Sequence, residues 1–191
     1  IQAEGRIDLA GRYSVAVLPV KLNLATLPGI GEQDGRGTAI VRAWGSGDIA
    51  HPGLEGEVTL SDAVFRGLAL GDGAATFALD RGQWQWSLRL GSGYEARGIA
   101  PGGFNGPFTV RVAAVNADLG LLLSGLMSRL RFPLTARADG SATLTGELPD
   151  LAGLSGEVEL AAVRGQAGGT PWESRGVTRH RLTSGVIHID P

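Results

Sequence analysis

The chain has 191 residues, of which 43% are hydrophobic and 19% charged, with 31 glycines, no cysteine and a net charge of −2. The length suits one large domain or two small ones, the composition is not that of a disordered tail, and the glycines lack the three-residue period of collagen. Both charge signs are interspersed, so no basic stripe neutralises phosphates and nucleic acid is not expected as a partner; without cysteine there is no disulfide, thiolate metal site or Cys nucleophile.

The sequence begins at Ile1 with neither a start methionine nor a signal peptide. It reads as a soluble piece of something longer. Most of it alternates with period two, the mark of a strand with one apolar and one polar face. In chain order, Val15, Val17 and Val20 open the pattern. Val58 and Leu60 alternate with Glu57 and Thr59. Trp84, Trp86, Leu88 and Leu90 alternate with Gln83, Gln85, Ser87 and Arg89. Val110 and Val112 alternate with Thr109 and Arg111, and Val115 is expected to continue their face. Ala142 and Leu144 alternate with Ser141, Thr143 and Thr145; Val158 and Leu160 close the series. Turn signals at Pro52-Gly53, Gly71-Asp72-Gly73, Arg81-Gly82, Pro101-Gly102-Gly103, Asp139-Gly140 and Ser184-Gly185 predict antiparallel meanders. One apolar face per strand predicts a sheet wet on one side.

One segment departs from this period. Between Asn116 and Arg131, Leu119, Leu122, Leu123, Leu126 and Leu130 recur at helical spacing, with Asn116 or Asp118 as N-cap and Pro133 as a stop. Gly120 and Gly125 each cost such a helix about 1 kcal/mol, so it needs tertiary packing and is expected to cover an end of the sheet. The run is too short and interrupted for a membrane span of about 20 residues. Its charges, Asp118, Arg129 and Arg131, do not form the basic face of a membrane-surface helix.

The sequence also repeats itself. "GLEGEVTL" from Gly53 and "GLSGEVEL" from Gly153 start 100 residues apart, and "YSVAVLPVKLNL" from Tyr13 aligns with "FTVRVAAVNADL" from Phe108 at an offset of 95. "FALDRGQWQW" from Phe77 resembles "HRLTSGVIHI" from His180. A strand-rich unit of about 100 residues, present roughly twice, divides the chain into residues 1–107 and 108–191. The expected fold is mainly β: an elongated, curled antiparallel sheet with one short helix near 116–131. A serial sheet of this kind ends in unpaired edges, which invite edge-to-edge self-association.

The order of these elements carries a resemblance. Gly47-Asp48-Ile49-Ala50-His51-Pro52-Gly53-Leu54-Glu55-Gly56-Glu57-Val58-Thr59-Leu60 follows a strand rich in Gly, Ala and Thr, and Leu79-Asp80-Arg81-Gly82-Gln83-Trp84-Gln85-Trp86 forms a hairpin after it. The segment "LTARADGSATLTGELPDLAGLSGEVEL" follows the same template, with Pro149 earlier than Pro52. The chain resembles the TamB branch of the AsmA-like, bridge-like lipid transfer proteins. The resemblance implies a taco-shaped sheet whose concave apolar face shields phospholipid acyl chains. It also implies a periplasmic location, an inner-membrane anchor in the parent chain, transport toward the outer membrane, and an outer-membrane β-barrel partner met through other parts of that chain. On this reading Val15, Val17, Val58, Leu60, Trp84, Trp86, Leu88, Leu90, Val110, Val112, Val115, Ala142, Leu144, Val158 and Leu160 line the groove. Ala39, Ala43, Ala136 and Ala138 leave room for a chain, and Leu119, Leu122, Leu123, Leu126 and Leu130 cap it. Alternation alone is equally met by a closed apolar core, as in a structural or adhesive β-solenoid of a secreted protein.

Sequence signs of catalysis are missing. His51, His180 and His188 are scattered and read as solvated residues, no H-E-x-x-H or G-x-S-x-G occurs, and the carboxylates flank turns or lie on polar strand faces. Gly29-Ile30-Gly31 reads as a plain turn. No enzyme activity, cofactor or metal is expected. The facing of Trp44 and Trp172 stays open.

Overall fold

The computed structural model describes residues 2–28, 30–65, 68–91, 93–103, 105–119, 134–148, 153–174, 176–184 and 186–189. The alternating segments become the strands β1 (Ala3–Ile7), β2 (Arg12–Asn23), β3 (Arg36–Asp48), β4 (Pro52–Phe65), β5 (Leu68–Asp80), β6 (Gln83–Leu90), β7 (Tyr94–Pro101), β8 (Gly106–Asp118), β9 (Leu134–Leu148), β10 (Ser155–Ala167), β11 (Thr170–Glu173), β12 (Thr178–Thr183) and β13 (Val186–Ile189). They form one antiparallel sheet, each strand beside the next from β1 to β10, then β12 and β13, with β11 on the remaining length of β10. The sheet does not close: β1 and β13 each have a single neighbour. Residues 107 and 108 both lie within β8, so the sheet runs unbroken across the boundary between the two sequence units.

The turn chemistry is met at some positions and not at others. Arg81 and Gly82 have φ of 47° and 75° and make the two-residue hairpin between β5 and β6, the pairing of positive φ that matches strand twist. Gly102 and Gly103 turn β7 into β8, and Ser184, with φ 50°, begins the turn from β12 to β13. Three predicted turns are corrected. Pro52-Gly53 opens β4, and the bend before it is at Ile49–His51. Gly71-Asp72-Gly73 lies inside β5, where Gly71, with φ 73°, takes part in a β-bulge. Asp139-Gly140 lies inside β9, where Gly140 is a strand residue opposite Leu160.

Three of the bulges share one construction. Asp62, Asn116 and Ala162 take φ of 52°, 47° and 47° where the register shifts between β4 and β5, β8 and β9, and β9 and β10. A bulge leaves a backbone N–H outside the ladder, and such a group must find another acceptor. Here the Asp62 N–H donates to Asp72 Oδ1 at 3.0 Å, the Asn116 N–H to Asp139 Oδ1 at 2.6 Å, and the Val163 N–H to Ser174 Oγ at 3.1 Å.

This geometry corrects the start of the predicted helix. Asn116 and Asp118 are not N-caps; they are strand residues of β8, with Asp118 opposite Arg137. Leu119 follows in a turn, its N–H donating to the Ala136 carbonyl at 2.8 Å. The remaining predicted helical residues, Leu122, Leu123, Leu126 and Leu130 among them, lie outside the described residues.

Two small buried clusters lie along one margin of the sheet. Leu24, in the 3-10 turn Leu24–Thr26 after β2, packs with Ala39 and Ala63, joined by Leu22, Val58, Leu60 and Leu70. Leu119, after β8, packs with Ala136, Ala138 and Val163, joined by Leu160. Leu24 and Leu119 are 95 residues apart, and Ala63 and Val163 are 100 apart.

Candidate functional site, an apolar sheet face

The registers bring the alternating apolar residues of successive strands into rows on one face. Val58 stands opposite Val41 and Ala75, Ala75 opposite Leu88, Leu88 opposite Ala96, and Ala96 opposite Val112; Val112 meets Ala142, and Ala142 meets Val158. The next row runs from Val17 through Ala43, Gly56, Phe77, Trp86, Gly98 and Val110 to Leu144. On its far side Val15, Leu54 and Leu79 lead to Trp84. On the near side Leu60, Leu90 and Leu160 share the face through Gly73 and Gly140. Fourteen of the fifteen predicted lining residues therefore occupy one continuous face from β2 to β10.

Val115 is the exception. It stands three residues from Val112, so strand parity turns it to the other face, where it is 70% exposed, and the bulge at Asn116 then brings Ala117 to the buried position (0% exposed). The small residues also differ from expectation. Ala39, Ala136 and Ala138 are 3%, 3% and 1% exposed under Leu24 and Leu119 and their neighbours, so they are floors of packed clusters, not open space. Ala43 is half-buried between Val17 and Gly56.

Large side chains on this face stand beside glycines. A Cβ at Gly56 would lie 2.3 Å from Phe77 Cζ, one at Gly98 2.3 Å from the Trp86 indole, and one at Gly146 2.8 Å from Phe108 Cε1. Rings lie over bare backbone, which lets aromatic and branched residues share a single layer without clashes. The Phe77 and Trp84 rings meet with centroids 6.0 Å apart, tilted by 58°. Trp84 Nε1 donates to the Gly102 carbonyl at 3.2 Å.

The face is neither a packed core nor an exposed surface. Its lining residues are half-buried, and no large side chain among the described residues is fully buried. A closed sandwich built from this many Val, Leu and Trp residues would bury several of them completely. The opposite face carries cross-strand ion pairs such as Arg89–Glu95 at 2.7 Å and Arg179–Glu159 at 2.6 Å. These are exposed and add little stability.

The chain matches no family model, no curated protein and no solved structure. Its own geometry therefore carries the functional reading.

The remaining candidates fall into place around that face. Trp44 lies on the polar face, 44% exposed, its Nε1 donating to Glu55 Oε2 at 3.0 Å. Trp172 stands opposite Gly165, where a Cβ would meet its indole at 2.7 Å. His180 and His188 sit on adjacent strands but on opposite faces: His180 is half-buried opposite Val158, and His188 is exposed opposite Arg181. His180 is thus not the solvated residue expected from sequence; its Nδ1 is buried without a partner. His51 is exposed beside Asp48, whose carboxyl is held below its usual value mainly by the His51 backbone N–H. Among the described residues, no three His, Asp or Glu side chains are placed to hold a metal ion, and no helix is long and apolar enough to cross a membrane.

Proposed function

We propose that this chain is a segment of a periplasmic lipid conduit of the TamB kind, in which the apolar sheet face shields the acyl chains of phospholipid. The observation that carries the reading is the continuous, half-buried apolar face running in register from β2 to β10. A contiguous apolar surface of that extent on a soluble protein marks an interaction site. Shielding of acyl chains gains about 0.8 kcal/mol per CH₂, so no head-group pocket is required. Among the described residues the face also carries no buried carboxylate or charged group that would penalise a hydrocarbon chain.

Two further observations support a serial, two-unit arrangement. Leu24 with Ala39 and Ala63, and Leu119 with Ala138 and Val163, are small aliphatic clusters at corresponding strand ends, at offsets of 95 to 100 residues. The bulge residues Asp62 and Ala162 are themselves 100 residues apart. A sheet built from such units continues by adding strands, and the unclosed ends at β1 and β13 suit continuation into neighbouring units of a longer sheet. Curling of that sheet into a taco turns the apolar face into a groove. The parent protein then bridges inner and outer membranes, and other parts of it meet an outer-membrane β-barrel partner. No catalytic step is involved.

The test is extraction of the purified protein and mass spectrometry of whatever lipid comes with it. Wild type is expected to carry phospholipid, Val110→Asp to lose it, and Thr145→Asp, on the polar face, to keep it. Absence of lipid from monomeric wild type, or equal lipid in all three, overturns the reading.

A further inference from the structure

The polar face of the sheet holds a feature that the apolar face does not explain. A twisted sheet is saddle-shaped, so each face is concave along one diagonal. On the polar face this concavity is a trough of about 770 Å³ running from Trp44 and Glu55 across β5 and β6 to Ile99, Arg97 and Arg111. Most arginines on this face have a carboxylate opposite or beside them: Arg42 faces Glu57, Arg89 faces Glu95 and Arg179 faces Glu159, while Arg137 and Arg164, which face each other, have Asp118 opposite Arg137 and Glu173 at 2.9 Å from Arg164. At the β7–β8 end the rule breaks. Arg97 stands directly opposite Arg111.

Like charges directly opposite on adjacent strands repel. Their other row neighbours are uncharged, Ser87 beside Arg97 and Thr143 beside Arg111. Glu95, two residues along from Arg97, is engaged by Arg89 Nε at 2.7 Å. Among the described residues neither guanidinium has a hydrogen-bond or ion-pair partner. The Thr109 hydroxyl, in the same trough, is likewise free of a protein partner. Ile99, opposite Thr109, is 50% exposed on this otherwise polar surface.

We infer that Arg97 and Arg111 form a binding site for a phosphomonoester, with Thr109 donating to a third oxygen and Ile99 supporting the organic group. A phosphomonoester carries close to two negative charges at neutral pH, against one for a carboxylate. It is therefore the anion whose charge matches the pair. Guanidinium forks on neighbouring strands suit bidentate contact with separate phosphoryl oxygens. Binding converts a repulsive pair into two charge-assisted contacts. The phosphoryl group belongs either to a soluble compound or to a lipid head-group such as phosphatidic acid, and both present the same oxygens. This site lies on the face opposite the proposed acyl surface, so it stands or falls independently of the lipid-conduit reading.

The experiment is calorimetric titration of the protein with phenyl phosphate and with inorganic phosphate. A parallel arm measures co-sedimentation with phosphatidylcholine vesicles with and without phosphatidic acid. Phenyl phosphate is expected to bind saturably and more tightly than inorganic phosphate, because only it contacts Ile99. Arg97→Gln and Arg111→Gln should each weaken binding about tenfold or more, the scale of one charge-assisted contact. Arg179→Gln, an ion-paired arginine elsewhere on the same face, should leave it unchanged. These exposed substitutions are checked for folding by circular dichroism. Co-sedimentation that needs both phosphatidic acid and the arginine pair identifies a lipid source, and titration without it a soluble one. No binding of either probe in both arms, equal binding in wild type and both pair variants, or an equal loss in Arg179→Gln, overturns the site.

Discussion

Gly98 lies flat against the indole of Trp86: a Cβ at this position would stand 2.3 Å from Cε2 and Cζ2 of the ring. No side chain fits there unless the indole rotates away or β6 and β7 part. Overpacking of this kind costs typically about 1–3 kcal/mol. Gly98→Ala is therefore expected to lower the urea midpoint by an amount in that range. Gly103→Ala, where a Cβ meets nothing within 4 Å, should change stability by no more than about 0.5 kcal/mol. Equal midpoints for the two variants would show that the ring does not depend on the bare backbone beneath it.

Ala162 presents the opposite case. It holds φ at 47° in the β9–β10 bulge with a side chain that gains nothing from the left-handed region. That conformation costs an Ala roughly 1–2 kcal/mol and a Gly almost nothing. Ala162→Gly is expected to stabilise the protein by about 1 kcal/mol, read from the denaturation midpoint. Ala138→Gly, an ordinary strand position 1% exposed, should destabilise it. A loss on Ala162→Gly would mean that the methyl group packs in a way that outweighs the backbone.

The two glycine-type effects explain what was legible in the sequence. Period-two alternation in Trp84–Leu90 or Val110–Val112 directly predicts a shared face, because side-chain direction in a strand depends only on parity. The prediction fails for Val115 because it stands three residues from Val112 and so has the other parity; the bulge at Asn116 comes after it and brings Ala117, not Val115, back to the apolar face. Gly71–Gly73 and Asp139–Gly140 read as turns because Gly and Asp favour turns. Within strands the same residues do other work: Gly140 makes room beside Leu160, and Asp72 and Asp139 accept the N–H groups that bulges leave outside the ladder. The leucine spacing after Asn116 reads as helical from a residue that is still strand. The Arg97–Arg111 pair is not visible in the sequence, because pairing across β7 and β8 is fixed by register, not by spacing along the chain.

Tyr94 should couple stability to alkaline pH. Its hydroxyl donates to the Asp118 backbone carbonyl, tying the start of β7 to the end of β8. Burial, with the Asp118 charge as a second cause, raises its pKa above 10.0. The folded state therefore holds this proton longer than the unfolded chain. The stabilisation is fully present below pH 10 and is lost as pH rises from there through the folded pKa. Tyr94→Phe should cost about 1 kcal/mol at neutral pH from the lost hydrogen bond. It should also flatten the part of the alkaline decline that belongs to Tyr94. Urea unfolding at a series of pH values in both proteins measures this; parallel alkaline slopes would remove Tyr94 from the account.

The unclosed sheet makes self-association the last consequence to test, because edge and face predict different variants. β1 has one strand neighbour, and all five of its residues are exposed, Ile7 at 66%. An edge strand offers unpaired backbone groups to a second copy, and a charge placed on it discourages that pairing. Sedimentation velocity over a concentration series is expected to show reversible association of wild type. Ile7→Lys should weaken it, while Val110→Asp, far from β1 along the sheet, should leave it unchanged. If Val110→Asp abolishes association and Ile7→Lys does not, the copies meet through their apolar faces. The same surface would then be sealed by the protein itself, and lipid would be recovered only from the monomeric fraction.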